Sequence, residues 1–331
     1  MSSRPLDQLP NHWATWTLEN LALGVSVEQV ASVLRESGFP DAADVAELNR
    51  LRAGPEVAFG TELMERVSKL ESALLTRYAV RRLLGDECIR RVSGVDADDF
   101  YRSFYCGNEP VILSDVAKDW PLLSRWTPCY FAKRYGHCIV EVQTGREGDP
   151  AYELNLDAHR TRMPLSEFAT AVEQTEASND FYICANNHAL EADLAELFEE
   201  IPQLDGYLDS KMAKGRTYLW FGPRGTVTPL HYDVMNVLLV QVMGEKAITL
   251  APPEVTPLMY NRKGVFSDVD FTAEKKGQFP LFADVVFRSD VLRPGEALFI
   301  PVGWWHFIQS LSTSISLSFT NFTLQNTFTK H

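Results

Sequence analysis

Between residues 236 and 321 the chain breaks into apolar runs of five to eight residues: 236–243, 246–250, 296–300, 306–311 and 314–321. Runs this short, rich in branched and aromatic residues and divided by Gly and Pro turns, predict strands, and strands at this density predict a β-barrel or sandwich. Shorter strands are expected at 110–113, 138–143, 181–185 and 218–221. The segment 252–290 is long and irregular, and loops of that length inside a folded domain are often functional. A rim insertion is the plainer reading of it.

The first hundred residues have a different texture. Residues 16–37 carry Leu18, Leu21, Val25, Val30 and Val33 at roughly helical spacing. Gly24 is expected to divide them into two helices, with Ser26 capping the second. Gly38-Phe39-Pro40 ends the pair, because the residue before proline disfavours helix. A helix is expected over 41–51, another opens at the acidic Asp96 segment, and residues 60–84 form the strongest helix. Its apolar stripe, Leu63, Val67, Leu70, Leu74, Tyr78 and Leu83, reads as core or as a dimer face. The expected division is therefore a helical region at 1–105, for dimerisation, docking or capping, and a mainly β domain at 106–331. A run of acids, Glu191, Asp193, Glu196, Glu199 and Glu200, reads as a solvated face.

Composition narrows the function classes. The 331 residues carry 31 Lys and Arg against 44 Asp and Glu, a formal net charge of −13. Such a chain repels phosphate backbones, which argues against nucleic acid as a partner. The five cysteines are odd in number, scattered, and include no CxxC pair. No disulfide framework or structural zinc site is expected, and a reducing cytoplasm fits best. The N-terminus has no signal-peptide core and no segment is apolar enough for a membrane span.

The chemistry lies in Thr228-Pro-Leu-His231-Tyr-Asp233 and in His306. His231 and Asp233 are two residues apart, so on a strand they share a face. A histidine from a distant strand would complete a 2-His-1-carboxylate set, which suits Fe(II) and leaves positions open for other ligands. Lys246 follows His231 by fifteen residues and Thr228 precedes it by three. A cation and a hydroxyl together can hold the far carboxylate of a dicarboxylate cosubstrate. Asn321 follows His306 by fifteen residues. His12, His137, His159, His188 and His331 have no partners at ligand spacing.

These two blocks, WFGPRGTVTPLHYDVMNVLLVQVMGEKAITLAPP (220–253) and LRPGEALFIPVGWWHFIQSLSTSISLSFTNF (292–322), resemble the Jumonji-C branch of the cupin superfamily, the Fe(II)/2-oxoglutarate oxygenases. The first gives T-x-x-H-x-D followed by Q-V-x-G-x-K. The second gives P-G-E-x-L-F-I-P-x-x-W-x-H. Weaker likeness begins near Asn108, so the resemblance covers about 108–325 and excludes the N-terminal helices. It implies a double-stranded β-helix (jelly-roll) barrel with His231, Asp233 and His306 as iron ligands. It implies Thr228 and Lys246 as partners of the 2-oxoglutarate carboxylate, with Asn321 lining that pocket and Tyr182 near the same group. Many members carry an asparagine six residues after the first histidine. Here that position is Val237, and Asn236 lies one residue earlier. The implied activity is a dioxygenase, an oxidoreductase in which O2 oxidatively decarboxylates 2-oxoglutarate to succinate and CO2 while a C–H bond is hydroxylated.

Within the family the chain is similar to the factor-inhibiting-HIF-like and arginyl-hydroxylase-like proteins. That likeness implies a protein or peptide substrate, with Trp220 and Glu141 holding a basic side chain, Arg or Lys. The acidic total would steer such a partner. N-methyl-lysine demethylation, oxidation of a small molecule or natural product, and an inactive scaffold are the rival readings.

Overall fold

The N-terminal helices begin where the capping chemistry places them. In the computed structural model, which describes residues 9–83, 85, 88–184, 189–191, 193–262, 264–271 and 279–328, α1 (Asn11–Ala22) ends just before Gly24 and α2 (Val27–Glu36) starts after Ser26. The Ser26 hydroxyl accepts from Gln29 N, and Gln29 Oε1 accepts from Ser26 N, a reciprocal capping box. Helices α3 (Val45–Arg52), capped by Asp44, and α4 (Pro55–Arg82) follow. The chain divides into two units, Met1–Val80 and Arg81–His331. In the first, Leu21, Val27, Val30, Leu34, Leu48 and Val57 form the core. The α4 stripe is not part of that core. Leu63, Val67 and Leu70 are exposed and Tyr78 is buried.

The second unit starts earlier than the expected boundary between residues 105 and 106. Strand β1 (Arg90–Val92) pairs in parallel with β2 (Val111–Leu113). Between them, α5 (Ala97–Phe100), capped by Asp96, brings Phe100 against Phe299, ring centroids 5.0 Å apart. Residues 90–105 therefore belong with the β-structure. Next come α6 (Leu122–Arg125), α7 (Pro128–Tyr135), β3 (Ile139–Gln143), β4 (Arg160–Pro164), α8 (Leu165–Gln174) and α9 (Ala195–Phe198). Glu200 is not a solvated acid: its carboxylate accepts from Trp126 Nε1 (2.9 Å), Tyr130 Oη (2.5 Å) and Tyr135 Oη (2.6 Å), tying the stretch after α9 to α6 and α7.

The remaining strands are β5 (Thr217–Gly222), β6 (Val227–Tyr232), β7 (Val237–Met243), β8 (Lys246–Ala251), β9 (Arg288–Leu292), β10 (Ala297–Ile300), β11 (Trp305–Ser310) and β12 (Ser314–Phe319). A six-stranded sheet has the order β1-β2-β10-β7-β12-β5, a four-stranded sheet the order β6-β11-β8-β9, and β3 and β4 form a ribbon. Period-two alternation assigns each side of the large sheet. Leu239, Leu298 and Ile300 join Ile248, Leu250 and Ile308 of the small sheet in one cluster. Leu238, Val240 and Phe299 face a second cluster with Phe131 and Phe168 of the helices. This is the expected mainly β jelly-roll sandwich with an N-terminal helical region. The expected strand at 181–185 is reduced to single bridges, Tyr182 to Gln143 and Ile183 to Phe221, and Ala185 lies outside the described residues. Conversely, the end of the irregular 252–290 segment is the start of β9. Among the described residues no helix is long and apolar enough to cross a membrane.

Candidate metal centre

Strands β6 and β11 are antiparallel neighbours, and their register sets His231 directly opposite His306. The two rings lie 4.0 Å apart between centroids. Asp233 follows β6 by one residue, and its carbonyl accepts from Gly303 N at 2.9 Å, which joins the two ligand-bearing loops. The Asp233 carboxylate lies 3.8 Å from His231 Nε2 and 3.7 Å from His306 Nε2. Those gaps exceed a hydrogen bond, yet fit two donors each about 2.1 Å from one ion. Among the described residues this is the one cluster of three such donors able to hold a metal.

Backbone carbonyls fix both rings. His231 Nδ1 meets Pro229 O at 2.8 Å and His306 Nδ1 meets Trp304 O at 2.9 Å. A carbonyl can only accept, so each Nδ1 carries the proton and each Nε2 lone pair faces the cluster. Burial and the neighbouring His231 push the His306 pKa down to about 4, with Asp233 opposing, so the ring is neutral and ready to ligate. Two imidazoles and one carboxylate, with no fourth His, Cys, Asp or Glu donor among the described residues, fit an open-sided Fe(II) site.

A second sequence feature becomes intelligible in the strand geometry. Thr228 and His231 are three residues apart, and in a regular strand they would face opposite ways. The pairing steps from His231–His306 to Thr228–Ile308, three residues on β6 against two on β11. This β-bulge restores the parity, so both side chains line one cavity of roughly 460 Å³. Lys246 lines it too, from the first position of β8, on the face that carries Ile248 and Leu250. The Lys246 Nζ donates to Tyr182 Oη at 3.1 Å and lies over the Tyr182 and Trp220 rings at 5.8 and 5.7 Å. No carboxylate pairs with it among the described residues, and burial pushes its pKa down to about 7. Tyr182 is itself held well above the usual phenol range by burial. A buried amine, a phenol and a hydroxyl, with no counter-ion, suit the carboxylate of a dicarboxylate.

The other sequence candidates divide. Trp220 lines the cavity, and its Nε1 donates to Ser318 Oγ at 2.8 Å. Asn236 is buried behind the site: its Oδ1 accepts from Val302 N, which anchors the loop leading to His306. Asn321 donates to Asp209 O and does not line the cavity, where its neighbour Thr320 does. Glu141 sits on the β3–β4 ribbon, 3.4 Å from Arg160, and does not line it either. The long segment contributes Val265 and Phe266 to the cavity, while its Asp268 pairs with Arg262. Phe266 stacks on His231 at 5.4 Å. His159 is held by Thr144 O and Asp149, and His188 and His331 lie outside the described residues.

Sequence reading misses Glu153, which lines the cavity from the loop after β3, and the fully buried Arg146 beside it. Arg146 donates from one Nη to Glu153 Oε1 at 3.2 Å and to Val227 O at 2.7 Å, over the Tyr152 ring at 4.3 Å. Burial raises the Glu153 pKa against the pull of Arg146. Neither residue sits in a recognisable motif or on a periodic element, so no sequence signal marks them.

Two mainly antiparallel sheets with a His–Asp–His cluster at one end of their shared core have the architecture of a cupin. The chain belongs to the cupin-like family: residues 97–324 match the model described as a cupin-like domain. Lysine-specific demethylase 8 of Xenopus tropicalis is 28% identical over 306 residues, 89% of this chain and 66% of its own length. Lysine-specific demethylase JMJ30 of Arabidopsis thaliana is 29% identical over 279 residues, 81% of this chain and 62% of its own. The human bifunctional peptidase and (3S)-lysyl hydroxylase JMJD7 is 25% identical over 251 residues, 66% of this chain and 79% of its own. The chain thus spans just under two thirds of the length of the two demethylases.

Proposed function

We propose that the chain is an Fe(II)- and 2-oxoglutarate-dependent dioxygenase that hydroxylates an amino-acid side chain, a basic residue, in a protein or peptide. The observation that carries this reading is the buried Lys246, paired with no carboxylate among the described residues, in the same cavity as the His231–Asp233–His306 cluster. The relatives support it, since one is named a lysyl hydroxylase and two are named lysine demethylases.

In this reading His231 Nε2, His306 Nε2 and an Asp233 oxygen hold the iron on one side. Lys246, Tyr182 and Thr228 hold the far carboxylate of 2-oxoglutarate, which directs its oxo-acid end to the open side. Val237, Leu239, Ile300 and Ile308 wall the cavity with apolar surface and keep water from the reaction. When bound, iron and 2-oxoglutarate together supply the oxidative decarboxylation that drives insertion of oxygen into a C–H bond. Where the oxidised carbon is an N-methyl group, the same chemistry ends in demethylation.

The test is incubation of the iron-loaded protein with 2-oxoglutarate, O2 and Arg-, Lys- or methyl-lysine-containing peptides. Succinate formation matched by a gain of one oxygen atom in the peptide is the expected result. Formaldehyde release from the methylated peptide would instead assign demethylation. No succinate above the metal-free control would refute the oxygenase reading.

A further inference from the structure

Two carboxylates line the cavity, Asp233 and Glu153. The first belongs to the metal cluster. The second sits in the loop after β3. Asp149 accepts from Ala151 N and from Asn155 Nδ2, closing the turn around Tyr152 and Glu153. Tyr152 Oη and Arg146 Nη2 both reach Val227 O, the first residue of the strand that carries Thr228 and His231. The loop is therefore tied to the strand that positions the site.

Arg146 does not fully satisfy Glu153. It meets one carboxylate oxygen only, while its own Nε and second Nη have no hydrogen-bond partner. Among the described residues Glu153 Oε2 has no hydrogen-bond partner. The cavity thus carries a carboxylate, paired with Arg146 through one oxygen only, as well as the Lys246 amine. Leu156 and Phe266, which also line it, offer apolar surface for the aliphatic stem of a long basic side chain.

We propose that Glu153, rather than the ribbon residue Glu141, is the specificity-determining carboxylate that receives the guanidinium or ammonium group of the substrate side chain. The inference rests on the oxygenase reading for the identity of the reaction, but not for the existence of a cation site.

The experiment measures peptide binding directly. Mn(II)-loaded protein with a 2-oxoglutarate analogue that cannot decarboxylate is titrated with capped peptides carrying central Arg, Lys or citrulline. Wild type is expected to prefer Arg or Lys over citrulline by at least about 10-fold. Glu153→Gln is expected to remove that preference while changing citrulline-peptide and analogue affinity by less than about twofold. A wild type without preference, or a Glu153→Gln variant that keeps it, overturns the proposal, as does a larger effect of Glu141→Gln. If Glu153→Gln and Glu153→Asp both lose analogue binding together with a lower melting temperature, Glu153 is only the partner of buried Arg146 and the proposal fails. Succinate release by the wild type, read in parallel, decides the oxygenase reading separately: its absence refutes that reading while the cation preference still decides the role of Glu153.

Discussion

Among the described residues no carboxylate offsets the burial of an ammonium group at Lys246, and that one residue has two measurable consequences. The unfolded chain binds this proton up to the ordinary value of 10.5, whereas the folded, ligand-free chain releases it at about 7. Between those values the unfolded state carries more protons, so the unfolding free energy of the ligand-free protein should rise with pH across that window. Lys246→Met should flatten the rise, as urea unfolding at several pH values would show. A bound dicarboxylate favours the charged amine, so binding above pH 7 should take up a proton and 2-oxoglutarate affinity should fall as pH rises. Calorimetry in buffers of different ionisation enthalpy would detect the uptake. Asp233→Ala, in contrast, should lower metal affinity and succinate formation by at least about 100-fold with the melting temperature little changed, because ligands matter at least as much as their outer-shell partners. Iron content and succinate assays check it. The triad was legible because an H-x-D pair on a strand shares a face and the Pro-Gly block announces the next strand. Glu153 was not, because a loop residue has no periodicity to betray which way it points.

Elements, rather than single side chains, turn those letters into a site. The bulge in β6 brings Thr228 and His231 to one face, and the turn between β7 and β8 starts Lys246 on the inner face. That turn depends on Gly244, which has φ of +72° and no room for a side chain: a Cβ there would lie 2.0 Å from Thr313 O. Gly244→Ala should destabilise the protein by about 1–3 kcal/mol from backbone strain alone. It should also weaken 2-oxoglutarate binding by moving Lys246, and thermal unfolding with a 2-oxoglutarate titration would show both effects. The strands β2, β3, β5, β7, β8, β10, β11 and β12 were readable from run lengths and turns, and the helix cap at Ser26 from local chemistry. The short strands β1 and β4 were not, since three to five residues such as Arg90–Val92 and Arg160–Pro164 are polar and gain their strand form only from a neighbour. Glu141 shows the same limit: alternation gave it a face, but only the β3–β4 pairing shows that the face meets Arg160 instead of the cavity.

At the scale of the molecule, the −13 charge and the cavity carboxylate act over different distances. The net charge works during approach and is screened beyond about 8 Å at physiological salt. Glu153 works after the substrate has displaced water, where screening is weak. Raising the salt should therefore slow association of a basic peptide without abolishing its selection. For an Arg- or Lys-peptide, kcat/KM measured by succinate release should fall several-fold between about 20 and 300 mM salt, because steered association is steeply salt-dependent. For the citrulline peptide it should change much less. The ratio between basic and neutral peptides at 300 mM should remain above unity in the wild type and approach unity in Glu153→Gln. A basic peptide whose advantage vanishes with salt in the wild type would mean that surface charge alone attracts it, and that the cavity contributes no selection of its own.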